Sequence, residues 1–351
     1  VAGNVRKLRD EITDGRIRSL QENTPDQMFW NDVSLPYFNR TWLDVPWYWA
    51  EAYFYRRVLE ATQYFQPCTT YHYDPYTPSK TAELLPDAAP RLLELRLDTL
   101  PVNLIDRITR LLESSLWGNR TDLSYNVAND LKLGDSSHDE TTNLIVNDAP
   151  KTIEWLLSGR CKHLAMIADN AGTELYMDLA LIDFLLGQKL IETVVLYLKE
   201  QPTFVSDAMP KDVYVGLCAM NAGRPSLQQL ATRLKHAIDS HQLILSQHWF
   251  FTTSLYYTQL PDDLRVEFAR ADLVIIKGDA NYRRLLSDAQ WLPITSFVRA
   301  TGYFPAPFVA LRTMKSELIC GLPEGTAEHL TILDSSWRVN GKRGVIQSNL
   351  P

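Results

Sequence analysis

Cysteine and histidine are scarce in this chain of 351 residues, which holds four of the first and seven of the second. Cys68, Cys161, Cys218 and Cys320 share no short spacing and the histidines are scattered, so a zinc site of His and Cys ligands is not expected. Such cysteines in a chain of this size are expected to be reduced and in the core, as in a cytosolic (or nuclear) protein. No apolar run approaches the ~20 residues that span a bilayer, so no membrane contact is expected. Positive charge is also short: 35 Lys and Arg against 42 Asp and Glu leave a net charge of −7. No basic face can form on that balance, which argues against nucleic acid as a partner. The chain has no internal repeat and no low-complexity tract. What remains is 45% hydrophobic and 22% charged, the balance of a soluble globular protein with one large domain or two unequal ones.

Residues 1–150 read as a mostly helical N-terminal domain. The aromatic run Trp42-Leu43-Asp44-Val45-Pro46-Trp47-Tyr48-Trp49 leads into a helix over 50–62, with Pro46 at its start. A core or interface plug is the expected role of that cluster. Residues 103–117 have Leu104, Ile105, Ile108, Leu111, Leu112 and Leu116 at helical spacing, and Gly118 stops the helix. Residues 126–150 are polar and weakly patterned, which predicts a crossing loop. From residue 151 to 351 strands and helices alternate, with strands expected at 163–167, 193–198, 243–245, 273–276, 308–311 and 345–347. That alternation predicts an α/β domain, a sheet with helices on both faces.

The strand ends carry the chemistry. His163-Leu164-Ala165-Met166-Ile167-Ala168 runs into Asp169-Asn170, and a helix follows from Leu175 with Leu175, Leu179, Ile182 and Leu186 on one face. Asp207 lies just beyond a second strand, Lys277-Gly278-Asp279 ends a third, and Arg312-Thr313-Met314-Lys315 ends a fourth. If these strands are neighbours, their ends line one crevice, where α/β sheets bind ligands. Asp169, Asn170 and Asp207 would offer two carboxylates and an amide oxygen, a hard donor set suited to Mg²⁺ or Mn²⁺. Lys277, Arg283, Arg312 and Lys315 could hold phosphate oxygens. The helix behind Asn170 would aim free N–H groups at a bound anion. Asn119, Arg120 and Asp122, just past a helix stop, could wall the crevice or merely tie two domains together. Each residue also has a plainer role: Asp207 could cap the helix near Pro210, Glu174 and Asp178 could be a solvated face, and Asp279 with Arg283 a surface pair.

Asp169-Asn170-Ala171-Gly172-x-Glu174, Phe204-Val205-Ser206-Asp207, Lys277-Gly278-Asp279-x-Asn281-Tyr282-Arg283 and Arg312-Thr313-x-Lys315 together resemble the motif set of the damage-control phosphatases, also called domain-of-unknown-function 89 proteins. The Arg-Thr-x-Lys signature resembles the sugar-phosphate subgroup, also known as acidic residue methyltransferases. Leu116-Trp117-Gly118-Asn119-Arg120-x-Asp122-Leu123-Ser124 and Glu51-x-x-x-Tyr55-Arg56-Arg57 resemble that subgroup's N-terminal half. The resemblance implies a Rossmann-like three-layer α/β/α domain with a helical N-terminal domain. It implies a divalent metal (Mg, Mn, Co or Ni) on Asp169, Asn170 and Asp207. Contacts to a small phosphorylated metabolite would come from Glu51, Glu174, the stretch Asp279, Asn281, Tyr282 and Arg283, and Lys315. Fructose 1-phosphate and fructose 6-phosphate are the implied substrates. Asp169 or Glu174 would take a proton from water, or Asp169 would attack phosphorus itself.

Two other readings compete. An S-adenosylmethionine-dependent carboxyl methyltransferase would suit the fold, but no strand is followed by the glycine-rich turn that such cofactors use. A non-catalytic interaction module would have no need to converge acids in a crevice.

Overall fold

The computed structural model describes residues 1–84, 89–118 and 143–351. Six helices come first: α1 (Ala2–Asp14), α2 (Gln27–Ser34), α3 (Trp47–Ala61), α4 (Thr77–Leu84), α5 (Ala89–Asp98) and α6 (Leu104–Trp117). Strands and helices then alternate as β1 (Leu144–Asn147), α7 (Ala149–Leu157), β2 (His163–Ile167), α8 (Thr173–Gly187), β3 (Thr193–Leu198), α9 (Pro210–Asn221), α10 (Pro225–Asp239), β4 (Leu243–Gln247), α11 (Asp262–Ala269), β5 (Leu273–Lys277), α12 (Asp279–Leu285), α13 (Phe297–Thr301), β6 (Phe308–Thr313), α14 (Thr326–Leu333) and β7 (Gly344–Asn349).

The seven strands form one sheet in the order β1-β7-β6-β5-β2-β3-β4. Strands β2 to β6 pair in parallel, β7 pairs antiparallel with β6, and β1 runs alongside β7. Side chains alternate across the sheet, as the two-residue repeat of a strand requires. Leu164, Met166, Leu196, Ile275 and Leu311 join one core with helices α5 to α10. Ala165, Ile167, Val274, Ile276 and Ala310 join the opposite core with α11 to α14. The sheet is therefore the middle layer of an α/β/α sandwich, the architecture expected from the alternation.

Three local expectations change. Residues 144–147, expected as loop, form the edge strand β1. Residue 150 thus falls just beyond a strand, and the sheet draws on chain from both sides of it. Helix α8 buries more than one face: residues 173–182 are all buried, because α8 packs against the sheet and also against α5, α6 and α10. Of the cysteines, all free, only Cys161 and Cys320 are in the core; Cys68 and Cys218 are exposed. Among the described residues no helix is long and apolar enough to cross a membrane.

Helix α6 begins where its sequence indicates. The Asn103 side chain accepts from the N–H groups of Ile105 and Asp106 at 2.9 and 3.2 Å, satisfying two otherwise unpaired donors. The aromatic run forms a separate N-terminal cluster, with Trp42, Trp49 and Tyr53 packed on Trp30. Arg56 and Arg57 sit on α3 behind it. Arg56 binds Asp26 and Glu22, and Arg57 binds Glu11 and Glu60. Both arginines are buried and hold the first residues of the chain onto α3.

Candidate functional site

The sheet order makes β6, β5, β2 and β3 consecutive neighbours, so the four strand ends singled out in the sequence do meet on one rim. Asp169 follows the interior strand β2. An isolated antiparallel bridge joins Asn170 to Asp207, and the Ala208 N–H donates to the Asp169 carbonyl at 2.8 Å. The loop before Asp207 holds Phe204 and Val205 at φ 47° and 64°. Such left-handed values cost a non-glycine residue on the order of 1–3 kcal/mol and persist only where surrounding contacts enforce them. On the other side of Asp169, Gly278 approaches so closely that a Cβ there would lie 2.0 Å from Asp169 Oδ2.

Asn170 is the hub. Its side-chain amide donates to Asp169 Oδ2 at 2.9 Å and to Glu174 Oε2 at 3.0 Å, and its oxygen accepts from the Ser206 hydroxyl at 2.6 Å. All of Asp169, Asn170, Glu174 and Asp207 are buried. Burial, then the carboxylates of Glu174 and Asp207, push the Asp169 carboxyl well above its ordinary range. Burial also raises Asp207, although Lys199, 3.1 Å from its Oδ2, pulls the other way. Four buried polar side chains, three of them carboxylates, thus crowd one dry site, and such a cluster calls for more positive charge than Lys199 alone supplies. The residues therefore fit a divalent ion held by Asp169, Asn170 and Asp207. The Asn170 amide would turn its oxygen toward that ion, and the Ser206 hydroxyl, able to donate or accept, tolerates either orientation. Among the described residues no three His, Cys, Asp or Glu side chains form a metal-binding group by themselves. The Asn170 amide would be the third donor.

Several expected phosphate ligands have other duties. Lys277 is fully buried, 3.0 Å from Glu174 and 2.9 Å from Asp178, and donates to the Ser115 carbonyl. Its three donors are directed at these groups, so Lys277 orients Glu174. Arg312 is also fully buried: it donates to Asp279 at 2.7 Å and to the Leu318 and Ser316 carbonyls, and lies 4.3 Å over the Tyr282 ring. Arg312 fixes the loop carrying Lys315. Tyr282 donates to Gln347 inside the core, and Asn281 donates to the carbonyls of Ala168 and Lys277. These two hold strand ends together and do not line the crevice. Asp279 is half-buried; besides Arg312 it accepts from the Lys315 N–H and the Ser316 hydroxyl, at 3.1 Å each. Glu174 and Asp178 are no solvated face, and Asp279 and Arg283 are no surface pair. The half-buried Lys315 contributes positive charge toward Asp169.

Arg283 donates to Glu51 at 2.7 Å and to Asp288 at 2.8 Å. Glu51 thereby brings α3 to the rim, and its neighbour Tyr55 packs on Phe204 with ring centres 5.1 Å apart. Gly118 is more than a helix stop, because a Cβ there would lie 2.7 Å from the Glu174 backbone. Asn119, Arg120 and Asp122 lie outside the described residues. The N-terminus of α8 is not open to an anion as expected, since the Thr173 N–H donates to the Glu83 carboxylate at 2.9 Å.

Four participants went unnoticed in the sequence. Lys199 directly follows β3, and the strand-end rule applied to it would have found it. Asp178 was weighed only as a surface residue. Lys80 and Glu83, on α4, are respectively 127 and 90 residues from the atoms they bind, and no local pattern marks them.

Comparison with known proteins follows the geometry. A family model described as the damage-control phosphatase ARMT1-like domain matches residues 4–330. The damage-control phosphatase ARMT1 of Danio rerio is 31% identical over 383 residues, covering 98% of this chain and 84% of that protein. The protein of the same name from Homo sapiens is 31% identical over 387 residues, covering 98% and 86%. Among solved structures, a DUF89 family protein from Pyrococcus horikoshii aligns over 92% of this chain and 88% of its own, with a TM-score of 0.48 at 16% identity.

Proposed function

The chain belongs to the damage-control phosphatase ARMT1-like family, and from that premise we propose that it is a metal-dependent phosphatase of small phosphorylated metabolites, with ketose phosphates such as fructose 1-phosphate and fructose 6-phosphate as substrates. The observation that carries the metal dependence is the buried, crowded set of Asp169, Asn170, Glu174 and Asp207, in which burial and the neighbouring carboxylates raise the Asp169 carboxyl.

Asp169, Asn170 and Asp207 would hold a divalent ion, which when bound would supply Lewis-acid charge for the phosphoryl oxygens and for activation of a water. Lys315 adds a second positive charge where the phosphoryl group lies. Glu174, held by Lys277, is fixed as the base that takes the proton from the attacking water. Asp169 is the alternative base or nucleophile. Glu51, Arg283 and Tyr55 form the outer wall, which suits a hydroxylated metabolite: two charged groups for its hydroxyls and an aromatic face for its carbon skeleton.

The test is phosphate release from a panel of sugar phosphates, with Mg²⁺, Mn²⁺, Co²⁺ or Ni²⁺ and after chelation. Activity on ketose phosphates that disappears on chelation and in Asp207→Ala is the expected result. Methyl transfer from S-adenosylmethionine that survives both treatments would overturn the reading.

A further inference from the structure

Helix α4 lies far from the sheet in sequence, yet it touches both loops of the donor set. Lys80 is buried and its ammonium group faces three acceptor groups. It donates to the Asp207 carbonyl at 2.7 Å and stands 3.1 Å from Asp212 and 3.2 Å from Asp74. Asp212 also accepts from the Met209 N–H at 2.9 Å, so the same carboxylate fixes the start of α9, just beyond Asp207. Three residues along α4, on the same face, Glu83 accepts from the Thr173 N–H at 2.9 Å at the head of α8. Thr173 adjoins Glu174 and lies three residues from Asn170. One short helix thus grips the Asp207 loop at one point and the Asn170–Glu174 turn at another.

We infer that Lys80 and Glu83 are positioning residues that set the spacing of the Asp207 and Asn170 donors, so that α4 is a working part of the site. The inference rests on the metal reading above. The Asp207 loop includes the strained pair Phe204–Val205 and has every reason to relax, and α4 supplies a charged anchor that opposes it. The second anchor fixes α8, so the two donor loops are referred to one rigid element. Partners of this kind, lying behind the ligands, commonly alter metal affinity by roughly 10- to 100-fold when removed.

The experiment measures Mn²⁺ binding to the full chain by calorimetry, alongside kcat and KM at saturating Mn²⁺. Lys80→Met is expected to weaken Mn²⁺ binding by roughly 10- to 100-fold and Glu83→Ala by several-fold. Each should lower kcat at saturating metal more than it raises KM. Arg57→Met, which breaks a buried ion pair remote from the site, is the control: it should lower the melting temperature and leave Mn²⁺ affinity as in the parent. If Lys80→Met does not fold, Asp74→Asn loosens one anchor of Lys80 and should still weaken Mn²⁺ binding several-fold. A parent that binds no Mn²⁺ overturns the metal reading itself. A parent that binds, with Lys80→Met (or Asp74→Asn in its place) and Glu83→Ala within twofold of it, overturns only the role given to α4. Equal losses in Arg57→Met also overturn it, because the effect would then be general loosening.

Discussion

Lys277 and Glu174 are paired beneath the donor set, ammonium to carboxylate at 3.0 Å, with both side chains out of contact with solvent. Burial disfavours the Lys277 ammonium, but the carboxylates of Asp178 and Glu174 more than offset that and raise its pKa. Lys277→Met leaves both carboxylates without their cation. Loss of one member of a buried pair costs about 3–5 kcal/mol, and denaturant unfolding should show a loss of that order. A variant as stable as the parent would remove Lys277 from this role.

Lys315 and Arg312 belong to one motif and should separate cleanly by experiment. Lys315→Ala should lower kcat/KM by the equivalent of on the order of 1.5–3 kcal/mol, with little change in melting temperature. Arg312→Met should instead destabilise the fold by about 3–5 kcal/mol, since Asp279 and two carbonyls lose their donor. Parallel kinetics and thermal melts decide it. Equal behaviour of the two variants would count against the division.

Gly278 is needed on two counts, a φ of +83° and the contact with Asp169. Gly278→Ala should cost about 1–3 kcal/mol in backbone strain, because φ 83° with ψ 171° is a conformation almost confined to glycine. Its methyl group must displace Asp169, and a misplacement near 1 Å lowers turnover by roughly 100-fold. Steady-state kinetics at saturating Mn²⁺ measures this; retained kcat would show that the Asp169 position is not critical.

Acid should weaken the hold on the N-terminal segment. Burial alone would raise the Asp26 carboxyl, but the hydrogen bonds and charge of Arg56 outweigh it and hold it below its ordinary 3.8. A depressed folded value means the pair stabilises the protein above about pH 4 and loses that contribution as pH falls through the folded value. Asp26→Asn should therefore be less stable than the parent at pH 7 and close to it near pH 2. Unfolding followed by tryptophan fluorescence at both pH values checks the sign, and an equal gap at the two would contradict it.

Much of this molecule was legible in its sequence, and the reasons differ by region. Strands β2, β3, β5 and β6 carry runs such as Leu273-Val274-Ile275-Ile276 that only a sheet covered on both faces can bury, so the layered fold could be read directly. The punctuation at their ends placed Asp169, Asn170, Asp207 and Asp279 on one rim. What stayed hidden was which charges are spent inside. Lys277 and Arg312 look like anion ligands until their acceptors are seen, and those acceptors come from other elements, Ser115 of α6 and the loop at 316–318. Strand β1 was missed because four residues at an edge, half-buried, carry almost no periodic signal. Lys80 and Glu83 could not be found at all, since only the folded chain brings α4 to the donor loops.

The carboxylate of Glu83 at the head of α8 has a consequence for how the enzyme lets go of its product. A helix N-terminus ordinarily attracts phosphate by itself, but here that attraction is already satisfied within the chain. Under the proposed metal site, inorganic phosphate would draw chiefly on Lys315 and the divalent ion, so its grip should rise and fall with metal occupancy. Product inhibition should be marked at saturating Mn²⁺, and the chelated protein should show no heat of phosphate binding at millimolar concentration. Calorimetric binding of phosphate to the metal-free chain would show that the α8 terminus is open after all.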